Sequence, residues 1–341
     1  MTDRNETIAR FIRDSDWANS SRSALAGDAS MRKYQRLSPN NEGRIAVLMD
    51  ADPSLGNDVK PFINITNFLQ KIGLSAPKIY HADEENGLLI LEDLGDALYA
   101  NVVVDQPDLE LPLYSAATDL LYQIHQAKPP KLVPYDAAIM TKMALLAFDW
   151  YQLGATDSVN TDQRSAFASS FSHALETQIA APNVLIQRDY HAENLIWLPD
   201  RSGNQRVGLL DYQDAQLGHP AYDLVSMLKD ARRDVSKNIE EAMITRYVAI
   251  SGTEETAFRN AYHLLGLQRN LRILGVFARL SMHFGKPSYI DFIPRVWEFI
   301  KRDLAEPINE QFVEVLNDAL PTPTPEILQR LRDKCATIPT L

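Results

Sequence analysis

The chain has 341 residues, 45% of them hydrophobic, and a formal charge of −11 from 34 Lys plus Arg against 45 Asp plus Glu. That length allows about two domains, or two lobes around a cleft, at roughly 100–200 residues per domain. An acidic chain without a basic block argues against nucleic acid or an anionic membrane as partner. A single cysteine, Cys335, excludes an intrachain disulfide and a cysteine metal cluster.

Met1 to Trp17 is polar and lacks the apolar core of a signal peptide. No apolar run approaches the ~18 residues of a membrane span. A reducing cytoplasm is the expected location.

Ile8, Phe11 and Ile12 recur at helical spacing after Thr2 and Asp3, which can cap a first helix. Ala24–Leu37, Arg44–Asp50, Lys78–Ala82 and Leu88–Glu92 read as strands, with turns at Gly27, Asn40–Gly43 and Glu84–Gly87. A helix over Pro61–Ile72 interrupts the series, so the order is three strands, a helix and two strands. Beyond Gly95 the spacing predicts helices over Leu113–Gln126, Ala137–Leu153, Arg164–Ile179, Tyr222–Ala231, Ile239–Ile250, Ala257–His283 and Tyr289–Leu304. The longest is expected to break near Gly266 or Gly275. Within this half Asn183–Gln187, Leu195–Leu198 and Val207–Leu210 read as short strands, the last two joined by a turn at Pro199–Gln205. Pro321–Pro325 is a stiff linker to a final short helix. The domain expectation is a β-rich part, residues 1–92, and a mostly helical part, residues 93–341, with a ligand cleft at the joint.

The chemistry concentrates in Gln187-Arg188-Asp189-Tyr190-His191-Ala192-Glu193-Asn194 and in Leu209-Leu210-Asp211-Tyr212. Asp189 and Asn194 flank four residues on a loop between apolar strands, and Asp211 ends the next strand. Phosphoryl transfer needs oxygen ligands for Mg²⁺ and a carboxylate that orients the attacking hydroxyl and takes its proton. Kinases arrange these as Asp-x-x-x-x-Asn followed, one hairpin later, by a metal-binding Asp. In that pattern Asp189 orients the hydroxyl, and Asn194 and Asp211 hold the metal. The competing reading is that all three are turn and capping residues.

With these motifs the sequence resembles the aminoglycoside phosphotransferase and choline kinase group, from about Gly27 to Ile300. The group's Leu-Asp-Tyr-Gln-Asp-Ala and Gly-His-Pro-Ala-Tyr-Asp-Leu runs stand here as Leu210–Ala215 and Gly218–Leu224. The resemblance implies an α+β, two-lobed, protein-kinase-like fold with a small β-rich N-lobe and a larger helical C-lobe, and use of ATP and Mg²⁺. It implies that Asp223 braces the catalytic loop; alone, Asp223 reads as a helix N-cap. It also implies that the Gly27–Tyr34 turn, with Gly27, Ser30 and Arg32, covers the phosphates, and that the backbone near Glu92 and Leu94 meets the adenine edge.

One position departs from the pattern. The third strand, Arg44–Asp50, carries Met49 where a kinase places its phosphate-binding lysine, and Pro61–Ile72 has no glutamate to pair with one. Arg32, Lys33 and Lys60 are the candidate substitute cations; strand alternation puts Arg32 and Lys33 on opposite faces, so one of the two faces the cleft, and Arg32 is the favoured one. Within the group, Gly27–Leu37, Val47–Pro53, Leu88–Tyr99, Asp149–Leu153 and Leu265–Leu280 resemble the anomeric N-acetylmuramate/N-acetylglucosamine kinases, whose third strand likewise carries Met-Asp. That resemblance implies phosphorylation of the C1 hydroxyl of an amino sugar in cell-wall recycling.

For such an acceptor Trp150 and Tyr151 offer an aromatic face, and Gln268, Arg269 and Arg272 offer polar contacts; all five also read as core or solvated helix residues. His191 and His219 read as structural. Glu193 and Asp214 keep an aminoglycoside or other small-alcohol acceptor open, and Met49 keeps open a nucleotide-binding module without catalysis.

Overall fold

The computed structural model describes residues 4–25 and 32–339. It divides into two compact units, Met1–Leu120 with Ala192–Ala215, and Leu121–His191 with Gln216–Leu341. The expected β-rich segment, residues 1–92, falls wholly within the first. Among the described residues, no helix is long and apolar enough to cross a membrane.

The first unit is built on a five-stranded antiparallel sheet. Its strands are β1 (Arg22–Ala24), β2 (Lys33–Leu37), β3 (Ala46–Asp50), β4 (Ile79–Asp83) and β5 (Leu88–Glu92), in spatial order β1-β2-β3-β5-β4. Alternation sorts their side chains. Leu37, Ala46, Leu48, Leu88 and Ile90 bury one face against Ile8, Phe11 and Ile12 of α1 (Arg4–Arg13) and against Trp17. The opposite face carries Tyr34 paired with Met49 and Arg36 paired with Val47. The expected caps of α1, Thr2 and Asp3, lie outside the described residues. The β4–β5 turn closes on Gly87, at φ +64°, where an added Cβ would lie 2.1 Å from the Ala51 carbonyl oxygen. Only glycine fits both the backbone and the gap.

Helix α2 (Lys60–Lys71) buries Phe62, Ile65, Thr66 and Leu69. Phe62 stacks on Tyr212 at 5.1 Å, and the Thr66 Oγ1 and Tyr212 hydroxyl lie 2.7 Å apart. Tyr212 follows a hairpin of β7 (Leu195–Trp197) and β8 (Val207–Leu209), paired Leu195 to Leu209. This unit also holds α3 (Tyr99–Asp105), which the sequence pattern does not announce because its apolar run Val102–Val104 reads equally as strand.

Helix α4 (Glu110–Gln126) contributes to both units. The second unit contains α5 (Ala137–Ala144), α6 (Leu153–Thr156), α7 (Thr161–Gln178), α8 (Ala221–Leu228), α9 (Lys237–Ser251), α10 (Glu255–Met282), α11 (Ile293–Leu304), α12 (Val313–Ala319) and α13 (Pro325–Asp333). A two-stranded ribbon joins β6 (Val184–Ile186) to β9 (Gln216–Gly218). Helix α10 is the axis of the unit, buried on every side from Leu264 to Leu271.

Two expectations need correction. Helix α10 does not break at its glycines. A Cβ on Gly266 would lie 2.5 Å from Asp303 Oδ2, and one on Gly275 2.1 Å from the Leu146 carbonyl carbon. Both glycines admit close neighbours, and the surrounding burial keeps the helix whole. The segment Ala137–Leu153 is not one helix: after α5 the chain widens into a π turn over Ala147–Gln152, beside the point where α10 presses on Leu146. Such turns are rare and costly, and tertiary packing holds this one.

Candidate active site

The second unit carries Asp189. Strand β6 delivers Gln187, and Arg188 then turns the chain in the left-handed region, at φ +73°. A non-glycine residue there costs of order 1–3 kcal/mol and persists only where neighbours hold it. The Asp223 carboxylate does so, accepting the Gln187 N–H at 2.6 Å and the Arg188 N–H at 2.9 Å. Ser226 Oγ donates to the Arg188 carbonyl at 3.2 Å, and the Arg188 guanidinium lies 5.5 Å from the Tyr135 ring centroid. Asp223 is fully buried and sits within the first turn of α8, not at its N-cap. The start of α8 is held by His219, whose Nδ1 accepts the Ala221 N–H at 3.1 Å. Burial lowers the His219 imidazole to about 4, which leaves that nitrogen free to accept.

The braced turn presents Asp189. Burial pushes its carboxyl up, but the charges of Arg272, His191, Arg269 and Arg188 outweigh it and hold the group below the ordinary carboxylate range. Asp189 is therefore an ionised, half-buried carboxylate, suited to orient a hydroxyl. Asp223 behaves in the opposite way: burial raises it to about 7 against its two N–H donors.

The first unit carries Asn194 and Asp211. Asn194 immediately precedes β7 and Asp211 lies just past β8, where the Leu210 N–H donates to the Asn194 carbonyl at 3.0 Å. That bond brings the two residues to neighbouring ends of the hairpin. Asp211 is also left-handed, at φ +56°, and its Oδ1 accepts from Gln213 Nε2 at 2.7 Å. An amide and a carboxylate so placed fit Mg²⁺, which takes one or two protein oxygens and fills its shell with water and phosphate. Among the described residues, no three His, Cys, Asp or Glu side chains cluster as a metal cage.

The substitute cations separate clearly. Burial raises the Tyr34 hydroxyl, Arg32 opposes this with its charge and a hydrogen bond, and the Asp211 charge raises it further. Arg32, Tyr34 and Asp211 thus share one neighbourhood, on the sheet face that carries Met49. Lys33 pairs with Asp50 on the other face, where Arg4 meets Asp50, and it is exposed. Lys60 is exposed at the start of α2. Met49 is fully buried.

At Glu92–Gly95 the side chains are occupied. Glu92 pairs with Arg201 at 2.7 Å and accepts the Lys78 N–H at 3.1 Å, while its own N–H continues the sheet to the Lys78 carbonyl. Leu94 is buried against Gly208. Arg36 grips Asp93 and Asp96 at 2.5 and 2.7 Å and fastens this turn to β2. Gly27 and Ser30 lie outside the described residues.

Of the proposed acceptor contacts, the aromatic pair is core. Trp150 is buried against His283, 6.0 Å between ring centroids, and Tyr151 is fully buried with its hydroxyl donating to the Pro321 carbonyl at 2.7 Å. Gln268 is also committed, donating to the Tyr135 hydroxyl at 3.2 Å and the Met140 carbonyl at 2.8 Å. Arg269 and Arg272 do meet near Asp189. Sequence reasoning missed Tyr34 and Ser226. Alternation with Arg32 is the only signal for Tyr34. Ser226, one helical turn below Asp223, carries none.

A model of the phosphotransferase enzyme family matches residues 21–259. An N-acetylmuramate/N-acetylglucosamine kinase of Caulobacter vibrioides is 40% identical over 90% of this chain and 94% of that protein. Its namesake in Pseudomonas putida is 32% identical, over 87% and 88%. In fold, an ADP-bound aminoglycoside phosphotransferase aligns over 88% of this chain and 97% of its own with a TM-score of 0.59 at 14% identity. A family model over most of the chain and relatives of this identity settle the kinship: the chain belongs to the phosphotransferase enzyme family.

Proposed function

We propose that this protein transfers the terminal phosphoryl group of ATP to the anomeric C1 hydroxyl of N-acetylmuramate or N-acetylglucosamine. The observation that carries the reaction type is Asp189, an ionised carboxylate on a turn that Asp223 and Ser226 hold in a strained conformation. The acceptor is supported by similarity to kinases of that name over nine-tenths of the chain.

In this reading residues 1–92 bind the nucleotide, and residues 93–341 carry the catalytic loop and the acceptor site. Asp189 accepts a hydrogen bond from the C1 hydroxyl, aims its oxygen at the γ-phosphorus and receives its proton as the new O–P bond forms and the bond to ADP breaks. Asn194 and Asp211 hold Mg²⁺, which when bound neutralises phosphate charge. Arg32 takes the part of the absent lysine, the backbone of Gly27 and Ser30 covers the phosphates, and the backbone at Glu92 and Leu94 meets the adenine edge. A reaction that draws on ATP suits the cytoplasm, and these acceptors suit the recycling of cell-wall sugars.

An aminoglycoside acceptor fits less well, because Arg188, Arg269 and Arg272 surround Asp189 with positive charge that repels a polycation. The test is ATP consumption with Mg²⁺ against N-acetylmuramate, N-acetylglucosamine, choline, homoserine and an aminoglycoside. Turnover is expected with the two amino sugars. Turnover with the aminoglycoside alone reverses the assignment, and turnover with none leaves a nucleotide-binding module.

A further inference from the structure

Positive charge gathers beside Asp189 beyond what a catalytic carboxylate needs. Arg269 and Arg272, three residues apart on α10, share a helix face. Arg269 is only 4% exposed. Its Nη2 donates to Ser226 Oγ at 2.8 Å, but Nε and Nη1 find no hydrogen-bond partner among the described residues. Arg272 is half-buried beside Tyr222, Asp189 and Tyr135. Its helix cannot drift: Gln268 ties it to Tyr135 and Met140, and Gly275 seats it on the Leu146 backbone. Arg188 adds a third guanidinium at the Tyr135 ring.

The nearby acids leave two of the Arg269 donors unmet. Asp189 is one. Asp223 spends both oxygens on the Gln187 and Arg188 N–H groups, and Asp230 lies by Arg269 and His191, with Oδ1 on the Arg232 N–H. Buried guanidinium donors without a hydrogen-bond partner are expensive, and arginine is the side chain suited to bidentate capture of a carboxylate. The two proposed acceptors differ at one group. N-acetylmuramate carries a lactyl ether whose carboxylate is its only charge; N-acetylglucosamine has a hydroxyl there.

We infer that Arg272, backed by Arg269, forms a carboxylate subsite that reads the lactyl group and sets a preference for N-acetylmuramate over N-acetylglucosamine. This inference rests on the acceptor reading above. The phosphoryl group in transfer is the other anion the pair could meet, and it is common to both sugars.

The experiment compares kcat/KM for N-acetylmuramate, its lactyl methyl ester and N-acetylglucosamine in the wild type, in Arg272→Gln and in Arg272→Lys. In the wild type the ester, which lacks the charge, should fall at least tenfold below N-acetylmuramate. In Arg272→Gln the ratio of N-acetylmuramate to N-acetylglucosamine should drop at least tenfold, mainly through KM, with Arg272→Lys between. Charge-assisted pairs support changes of that size. An ester used as well as the free acid overturns the subsite without any variant, so a misfolded Arg272→Gln cannot shield it. Equal kcat losses for both sugars with an unchanged ratio would overturn the subsite and confine Arg272 to keeping Asp189 ionised or meeting the phosphoryl group. Turnover of neither sugar removes the acceptor reading itself, and the subsite with it.

Discussion

The loop that carries Asp189 and the hairpin that carries Asn194 and Asp211 are held by different means. The loop is braced by side chains from a helix more than 30 residues away: Asp223 and Ser226 fasten the Gln187 and Arg188 backbone. The hairpin is fastened by its own ladder, through the Leu210 N–H and the Asn194 carbonyl, and by the local Gln213–Asp211 bond. Around Asp189 the surroundings are arginine-rich and half-buried; around Asp211 they are Arg32, Tyr34 and an apolar sheet face. The lesson is that the half-buried carboxylate on the loop draws its cations and its rigid backbone from afar. The carboxylate at the hairpin end relies on local geometry.

The largest expected effect lies on the loop. Asp189→Asn should lower kcat by roughly 10²–10⁴-fold, the usual range for a positioned acid–base group. Nucleotide binding, followed by calorimetry, should persist. Full activity in this variant would remove Asp189 from its role and make the two regions equivalent.

Removing the brace tests the contrast directly. Asp223→Ala leaves two buried N–H groups unpaired beside a left-handed residue and should cost about 2–5 kcal/mol in stability, read from denaturant unfolding. The pH dependence has a definite sign. Asp223 is raised to about 7 in the folded chain, against roughly 3.9 when unfolded. The native state therefore keeps a proton that the unfolded chain has lost. This group's contribution to stability is complete below about pH 4 and is lost as pH rises through about 7. Subtracting the Asp223→Asn profile from the wild type should isolate that decline, and parallel profiles would contradict it.

On the other side, Arg32→Gln should raise the KM for ATP roughly tenfold, as loss of one charge-assisted contact does. Lys33→Gln should leave it within twofold. Met49→Lys should not restore an ordinary kinase. It places an ammonium group in a fully buried position and should destabilise by roughly 2–4 kcal/mol. A lower KM for ATP in Met49→Lys would show that the sheet face still accepts the usual cation.

The smallest effect concerns the support behind the hairpin. Tyr212→Phe removes the hydroxyl contact with Thr66 but keeps the ring on Phe62. The expected loss is about 1 kcal/mol, with Mg²⁺ dependence unchanged. A shifted Mg²⁺ requirement would mean that the hairpin also depends on side chains from a distance.

Local pattern was enough for much of this protein. Alternation and turn residues announce β2, β3, β4 and β5, and the 3.6 period announces α1, α2 and the long helices, because burial of one face leaves its period in the chain. The loop that carries Asp189 and the hairpin that carries Asn194 and Asp211 were legible for a related reason. The spacing of those residues sets a short loop and a short hairpin, and both are local structures. What the chain could not state by itself is where residues distant in sequence meet. Gly266 and Gly275 look like helix breakers until Asp303 and the Leu146 backbone are seen against them. Trp150 and Tyr151 look like a sugar platform until His283 and Pro321 cover them. Arg32 is only narrowly ahead of Lys33 on paper, and the register of β2 against β3 puts Arg32 on the Met49 face and Lys33 on the other. Spacing along a chain specifies geometry only over a turn or a hairpin; long-range packing and the charge it brings together are decided when the chain closes on itself.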